Sequence, residues 1–134
     1  MTTFFDSHLH IIDSCFPLIE NQGYTPRPFT CDDYIDRTSK FQVVGGAVVS
    51  GSFQGFDQTY LVDALQKLGP KFVGVTQVSH SVTNEDILRL NERGVRAVRF
   101  NVKRGGSEDI SKLDYFARRV HELVGWHVEL FIDS

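Results

Sequence analysis

Two histidines near the start of the chain, His8 and His10, have the residue type and spacing best suited to chemistry. They lie in residues 4–13, where aromatic and branched side chains without glycine or proline predict a β-strand. Side chains two residues apart point to the same face of a strand, so both imidazoles could reach one ion. Imidazole is the commonest metal ligand in proteins and is typical of zinc sites. The alternative is a pair of structural histidines that hydrogen-bond to the backbone.

Strict alternation gives this predicted strand one polar and one apolar face. The polar face carries Phe4, Asp6, His8 and His10. The apolar face carries Phe5, Ser7, Leu9 and Ile11. The apolar face is suited to burial under a helix, which would leave the two imidazoles at the end of the polar face.

Composition limits the class of protein. The chain has 134 residues, of which 41% are hydrophobic, with a net charge of −3. These values predict one globular domain over residues 1–134 and do not favour binding to nucleic acid or to an anionic membrane. No run is long and apolar enough to span a bilayer, and no signal peptide is recognisable, so we expect a cytoplasmic protein. Cys15 and Cys31 form no C-x-x-C pair, which predicts two reduced thiols.

Beyond the first strand, apolar periodicity and turn residues predict alternating helices and strands. Predicted strands cover residues 43–50, 72–78, 95–101 and 127–133. Predicted helices cover residues 31–38, 57–68, 83–94 and 111–125, with Thr30, Asp57, Thr83 and Ser111 as N-caps. The proline- and glycine-containing segment 15–29 predicts a long loop, and loops of this length are often functional.

This βαβ order predicts a parallel sheet with right-handed crossovers. Two architectures remain open, namely an open doubly wound sheet and part of a (β/α)8 barrel. No G-x-G-x-x-G follows the first strand, so dinucleotide binding is not supported. Polar residues instead gather at the carboxyl ends of several strands, the face on which barrel enzymes place their active sites. They are His8, His10, Ser50, Ser52, Arg99, Asn101 and Asp133.

Several of these segments resemble one known family. The sequences F-D-S-H-L-H (5–10), G-V-R-A-V-R-F-N (94–101) and W-H-V-E-L-F-I-D (126–133) resemble segments of the metal-dependent hydrolases of the amidohydrolase superfamily, in its amidohydrolase 2 branch. Within that branch, Tyr24-Thr25-Pro26 and the loop 52–55 are most similar to the 2-pyrone-4,6-dicarboxylate lactonase and sugar-lactonase group. The resemblance covers essentially the whole chain and implies the N-terminal half, about five strands, of a TIM (β/α)8 barrel.

The resemblance also implies roles for particular residues. His8 and His10 would be ligands of a divalent metal, zinc or manganese, or would contact substrate and water where no tight metal is required. Arg99 and Arg104 would bind a substrate carboxylate, which suits the planar donor fork of arginine. Tyr24 and Ser52 would contact the substrate as well.

The later part of such a barrel has no counterpart in this sequence. A complete barrel has eight strands and about 250 residues. The resemblance places further histidines and the aspartate that serves as general base in those later strands, so no catalytic residue is assigned here and the 134-residue chain alone is predicted to be inactive. The chain would be a fragment of a longer enzyme, half of an assembly with another copy or chain, or an open-sheet remnant. Exposed sheet edges favour self-association.

The resulting functional prediction is hydrolysis of a carboxylate-bearing lactone by activated water. One alternative is a decarboxylase of the same superfamily, which would break a C–C bond. A second alternative, from a different class, is a non-catalytic half-barrel that serves binding or assembly.

Overall fold

A computed structural model of the chain describes residues 2–19, 26–104 and 107–132. Five parallel strands form one sheet in the order β1-β2-β3-β4-β5. The strands are β1 Thr3–Leu9, β2 Gln42–Val49, β3 Phe72–Thr76, β4 Val95–Asn101 and β5 His127–Phe131. The helices are α1 Cys31–Arg37, α2 Thr59–Leu68, α3 Asn84–Glu92 and α4 Leu113–Val124.

The strand order decides between the two architectures. Each strand pairs with the next strand in the chain, and the order never reverses. A doubly wound sheet would reverse at a switch point, whereas a (β/α)8 barrel adds its strands in one direction. The fold is therefore a half-barrel, as predicted.

The main hydrophobic core lies between the sheet and the helices. Its largest fully buried side chains are Ile11, Tyr60, Leu61, Ile87, Phe100, Phe116 and Trp126. The opposite face of the sheet carries a second, smaller cluster of Val49, Val75 and Ala97. Small side chains dominate that inner face below the ends of the strands. No helix in the described ranges has the length and apolar character needed to cross a membrane.

Helix starts show where local sequence signals succeed. Thr30 caps α1 and Thr83 caps α3, and each forms a capping box with an aspartate three residues later. Two predicted caps are wrong. Helix α2 begins at Thr59, whose hydroxyl donates to Asp57 (2.7 Å), so Asp57 supports the turn before the helix rather than capping it.

Ser111 is the second wrong cap. A 3-10 turn, Ile110–Lys112, precedes α4, and the Asp109 carboxylate already accepts the Ser111 backbone N–H at 2.8 Å. Helix α4 therefore starts only at Leu113. The predicted helix start is two residues too early, because Asp109 caps a 3-10 turn that comes before the α-helix.

Strand β1 contains a bulge that overturns its predicted alternation. Asp6 pairs with Gly46 and Leu9 with Val48, so two residues on β1 oppose one residue on β2. Asp6 consequently accepts a hydrogen bond from the Tyr34 hydroxyl of α1 (3.1 Å) on the helix side, where Leu9 is also buried. The prediction that Asp6 shares a face with the two histidines is wrong, because the extra residue resets the alternation.

The first strand is also shorter than predicted. It ends at Leu9, and Ile12 then pairs with Phe29 in an isolated antiparallel bridge (2.8 and 2.7 Å). The backbone on either side of the proline-rich segment is therefore fixed beside the carboxyl end of β1.

Candidate functional site

A cleft of about 440 Å³ opens at the carboxyl ends of β1, β2, β4 and β5. Nine described residues line it: His8, His10, Gly51, Ser52, Phe53, Arg99, Asn101, Arg104 and Phe131. Five of the six residues predicted from the sequence thus meet in one place. The sixth, Tyr24, lies outside the described residues. A larger groove of about 630 Å³ lies between α2 and α3, and two of its four charged residues, Asp86 and Arg89, pair with each other at 3.3 Å.

The two histidines meet at one wall of the cleft. Their rings pack edge to face with centroids 4.9 Å apart. The Nδ1 atom of His10 lies 2.7 Å from the backbone oxygen of Val49. A carbonyl only accepts, so Nδ1 carries the proton and Nε2 remains an acceptor.

Both imidazoles favour the neutral form. Burial lowers the pKa of His10, although the bond to Val49 opposes this. The pKa of His8 is lowered first by burial and then by the positive charge of Arg99. Neutral imidazole is the form that binds a metal or accepts a proton from water.

A metal site needs more than these two ligands. The bond from Nδ1 of His10 to a carbonyl is the usual support for a ligating histidine. However, no group of three or more histidine, cysteine or acidic side chains suited to a metal occurs within residues 2–19, 26–104 and 107–132. Catalytic zinc usually takes three protein ligands. The described residues therefore do not complete a metal centre by themselves.

Arg99 also lines the cleft and is nearly buried, with 7% of its surface exposed. Its guanidinium donates to the backbone oxygen of Ser50 and lies 5.1 Å from the ring centroid of Phe131. Among the residues that the structure describes, no carboxylate lies within 4 Å of it. Burial lowers the pKa of Arg99, but a guanidinium stays charged at physiological pH. Within the described residues the site thus contains a nearly buried cation with no carboxylate in ion-pair contact, although Glu129 on the neighbouring strand β5 acts on its charge from a greater distance.

A buried polar layer fixes the acceptor that holds Arg99. The Ser50 hydroxyl lies 2.6 Å from the Tyr60 hydroxyl and donates to Thr76 at 3.5 Å. All three side chains are buried, and burial raises the pKa of Tyr60. These bonds join β2, α2 and β3 directly below the cleft, so the position of the Ser50 carbonyl is tightly constrained.

The loop that carries Ser52 is fixed by the buried side chain of Gln54. Its amide donates to the Ile11 carbonyl (2.8 Å) and accepts from the Gly51 backbone N–H (2.9 Å). Ser52 itself is buried at the start of the 3-10 turn Ser52–Gln54. Arg104 differs, because its side chain is exposed at the rim of the cleft.

Sequence reasoning did not assign two aromatic walls of the cleft, Phe53 and Phe131. The Phe53 ring lies 6.2 Å from the His10 ring, and Phe131 lies close to both Arg99 (5.1 Å) and Lys103 (5.9 Å). Alternation along β5 could have identified Phe131, because residues 129 and 131 lie on the face opposite the apolar Val128 and Leu130. Phe53 lies in a loop, where no periodicity indicates direction.

Comparison with known proteins identifies the family to which a chain with this site belongs. The pattern of the amidohydrolase family matches residues 5–132. The chain belongs to the amidohydrolase family. This amidohydrolase chain is 30% identical over 135 aligned residues to 2-pyrone-4,6-dicarboxylate hydrolase of Comamonas testosteroni, which covers 96% of the chain and 43% of that relative. It is 29% identical over 97 residues to 4-sulfomuconolactone hydrolase of Rhizobium radiobacter, covering 71% and 32%.

Solved structures agree on the fold. A probable 2-pyrone-4,6-dicarboxylic acid hydrolase from Acinetobacter baumannii, with citric acid bound, superposes with a TM-score of 0.80 at 26% identity, over 94% of this chain and 48% of that one. A related protein from Pseudomonas putida gives 0.75 at 28% identity, over 94% and 47%. The amidohydrolase chain therefore spans less than half the length of these relatives, and the predicted N-terminal half of a TIM barrel is confirmed.

Proposed function

We propose that this amidohydrolase chain forms the carboxylate-binding half of an active site that hydrolyses a carboxylate-bearing lactone. The observation that carries the proposal is Arg99, a nearly buried cation that lines the cleft without a carboxylate within 4 Å among the described residues. A buried charge without a counter-ion in direct contact is costly, and the electrostatic effect of Glu129 on Arg99 does not replace such a contact. An anionic substrate would supply it.

The chemistry of the relatives supports the same substrate class. Two of them are named as hydrolases of 2-pyrone-4,6-dicarboxylate and of 4-sulfomuconolactone. The Acinetobacter structure holds citric acid, a polycarboxylic acid. A guanidinium matches a carboxylate with two parallel hydrogen bonds. In our proposal Arg99 holds one carboxylate, while Arg104, Ser52 and Tyr24 contact the rest of the substrate.

The proposed reaction adds the oxygen of water to the ring carbonyl carbon and breaks the ring C–O bond. One proton of the water passes to the ring oxygen that leaves, and the products are a hydroxyl group, a carboxylate and one released proton. His8 and His10 face the cleft as neutral imidazoles, so each can accept a hydrogen bond from the attacking water. In the proposal Arg99, in the same cleft, orients the ring so that its carbonyl meets that water.

Members of this family generally use a divalent metal, and we propose His8 and His10 as the two ligands that this chain would give to zinc or manganese. Further ligands would come from outside the described residues. We expect no turnover by the 134-residue chain alone, because the family resemblance places the general base in later strands. Measurable lactone hydrolysis or CO₂ release by the purified chain would contradict this expectation, and CO₂ release would favour the decarboxylase.

Binding of 2-pyrone-4,6-dicarboxylate to the purified chain, measured by isothermal titration calorimetry, tests the proposal. Arg99→Lys keeps the charge but loses the fork, so we expect about tenfold weaker binding, the effect of one lost charge-assisted hydrogen bond. Arg118→Lys is the matched control, because Arg118 is exposed on α4 and pairs only with Asp114 among the contacts described for it. Equal affinity of all three proteins would overturn the carboxylate-binding role.

We also propose that the chain is a single cytoplasmic domain that self-associates. Strands β1 and β5 are the two edges of the described sheet, and Phe5, Leu130 and Ile132 expose apolar surface beside them. Unpaired edges with apolar neighbours favour association. Light scattering of the purified chain tests this, and a mass near 15.2 kDa at every concentration would contradict self-association.

A further inference from the structure

We propose that Glu108 and His80 act as a positioning pair that holds the loop carrying Arg104 over the cleft and so strengthens carboxylate binding. The inference deepens the proposed function and rests on it. Neither residue lines the cleft. Both are thus outside the set assigned to the substrate, and their role would be exerted through Arg104.

Glu108 is held by three hydrogen bonds. Its Oε2 atom accepts the backbone N–H of His80 (2.6 Å) and lies 3.0 Å from His80 Nδ1. Its Oε1 atom accepts the backbone N–H of Asp109 (3.2 Å). The Glu108 side chain is only 15% exposed, whereas the His80 side chain is 69% exposed. A partly buried carboxylate is thus directed at a neighbouring loop rather than at solvent.

The pair joins two loops at the carboxyl end of the sheet. His80 follows β3 and Glu108 follows β4, and β4 leads directly into the loop that contains Arg104. Without Glu108, no other bond described here ties the connection after β4 to the loop of His80. The pair therefore bridges the two connections beside the cleft.

A continuous chain of hydrogen bonds leads from this pair to Arg104. The Ser107 hydroxyl donates to the Glu108 carbonyl (3.2 Å) and accepts the backbone N–H of Asn101 (2.8 Å). The buried Asn101 amide oxygen in turn accepts the backbone N–H of Arg104 (3.0 Å). Displacing Glu108 would disturb the Ser107 end of this hydrogen-bond chain, so the placement of the Arg104 backbone by Asn101 would be weakened, although Val102 and Lys103 still donate to the Phe131 carbonyl (3.0 and 3.1 Å).

The helices next to these loops have their own connection. Arg119 of α4 donates to the Asn84 side chain (3.0 and 2.8 Å) and to the Val82 carbonyl (2.8 Å) at the start of α3. Packing of α3 against α4 therefore does not depend on Glu108. This separates a role in placing the loop from a role in holding the fold together.

The first experiment measures the affinity of the full chain for 2-pyrone-4,6-dicarboxylate. We expect Glu108→Ala to weaken binding about fivefold, somewhat less than the loss of one charge-assisted bond to the ligand itself. Glu108→Gln keeps an oxygen that can accept both His80 bonds, so it should restore affinity to within about twofold of the unmodified chain. Asp114→Ala, which removes an exposed carboxylate paired with Arg118, should change nothing.

A double-mutant cycle with Arg104→Ala provides the decisive result. If Glu108 acts through Arg104, Glu108→Ala should have no further effect once Arg104 is alanine. An equal loss in both backgrounds, or no rescue by Glu108→Gln, would overturn the inference. If Arg99→Lys and Arg104→Ala weaken binding but Glu108→Ala does not, this inference fails while the proposed function stands. If none of them alters affinity, the proposed function fails first.

Discussion

Strand β4 carries an arginine near each end, and the two have opposite surroundings. Arg96, near the amino end, is exposed and donates to the Asn91 carbonyl (2.6 Å), the Asn91 side chain (3.2 Å) and the Val95 carbonyl (2.8 Å). Arg99, near the carboxyl end, is nearly buried, yet among the described residues it donates to a single carbonyl and packs against a single ring.

The difference shows how to tell a structural arginine from a ligand-binding one. At the amino end, Arg96 is bound by protein groups, and its partner Asn91 is itself held by a hydrogen bond from the Trp126 indole (2.9 Å). At the carboxyl end the more deeply buried charge has fewer protein partners. A buried charge needs hydrogen-bonding and ionic partners more than an exposed one does, because burial removes its hydration. The small number of partners described for Arg99 therefore indicates a partner from outside the described residues.

The largest expected effect on stability concerns Trp126 and Asn91, beside the amino end of β4. Trp126 is fully buried and bonded to Asn91, so Trp126→Ala should lower the free energy of unfolding by about 3–5 kcal/mol. Arg99→Met should instead leave it unchanged or raise it by about 1 kcal/mol, since it removes a buried charge that has no ion pair among the described residues. Urea unfolding of both variants checks the contrast. A loss of several kcal/mol in Arg99→Met would mean that Arg99 is structural.

The next effect concerns the histidine wall of the cleft. Burial lowers the pKa of His10 in the folded chain, so the folded state binds fewer protons than the unfolded state once the pH falls below about 6.5. The stabilising contribution of neutral His10 is therefore present above that pH and is lost as the pH falls towards its folded pKa. Urea unfolding between pH 7.5 and pH 5 should show this decline.

His10→Gln provides the control for this prediction, because glutamine can hydrogen-bond to the Val49 carbonyl but does not titrate. The variant should show a clearly shallower decline over the same window. Glu108 and Asp109 have lowered pKa values and lose their contributions only at lower pH. An unchanged slope in His10→Gln would assign the decline to another group.

The smallest effect shows that not every polar residue at the carboxyl end of the sheet is functional. Thr83 caps α3, so Thr83→Ala should lower the free energy of unfolding by about 1 kcal/mol without changing the affinity for a dicarboxylate. Ser111→Ala is the matched control, since the structure assigns that cap to Asp109. It should change stability by less than about 0.5 kcal/mol. Equal losses would contradict the assignment of the two caps.

Much of the fold was predictable because its signals are local. Gly125, with a left-handed backbone, ends α4 as predicted, and β4 occupies the predicted residues. Thr30 and Thr83 carry capping boxes that can be read from four consecutive residues. The strand order could not be predicted from local signals, because an open doubly wound sheet and a (β/α)8 barrel have the same βαβ pattern along the sequence. Hydrogen bonding between distant strands decides it.

The candidate site was predictable only in part. His8, His10 and Arg99 lie on or beside strands, so their common location follows from parallel strand ends. The bulge that moves Asp6 to the helix side depends on pairing with β2, which the sequence of β1 alone does not encode. The same applies to the Glu108–His80 pair, whose members are 28 residues apart and meet only through tertiary structure.

The bulge in β1 also divides that strand into two segments, because the alternation between the helix side and the cleft side shifts by one residue at the bulge. Upstream of it, the helix-facing positions follow Asp6, and downstream they follow Leu9 and Ile11. Residues before the bulge can therefore change to fit the packing against α1, while the residues after the bulge that enter the cleft stay the same. A single-residue deletion between Asp6 and Leu9 would remove this independence and exchange the leucine and histidine faces. Alignments of related chains therefore need to treat a gap at this position as a change of site chemistry, even though the strand itself would persist.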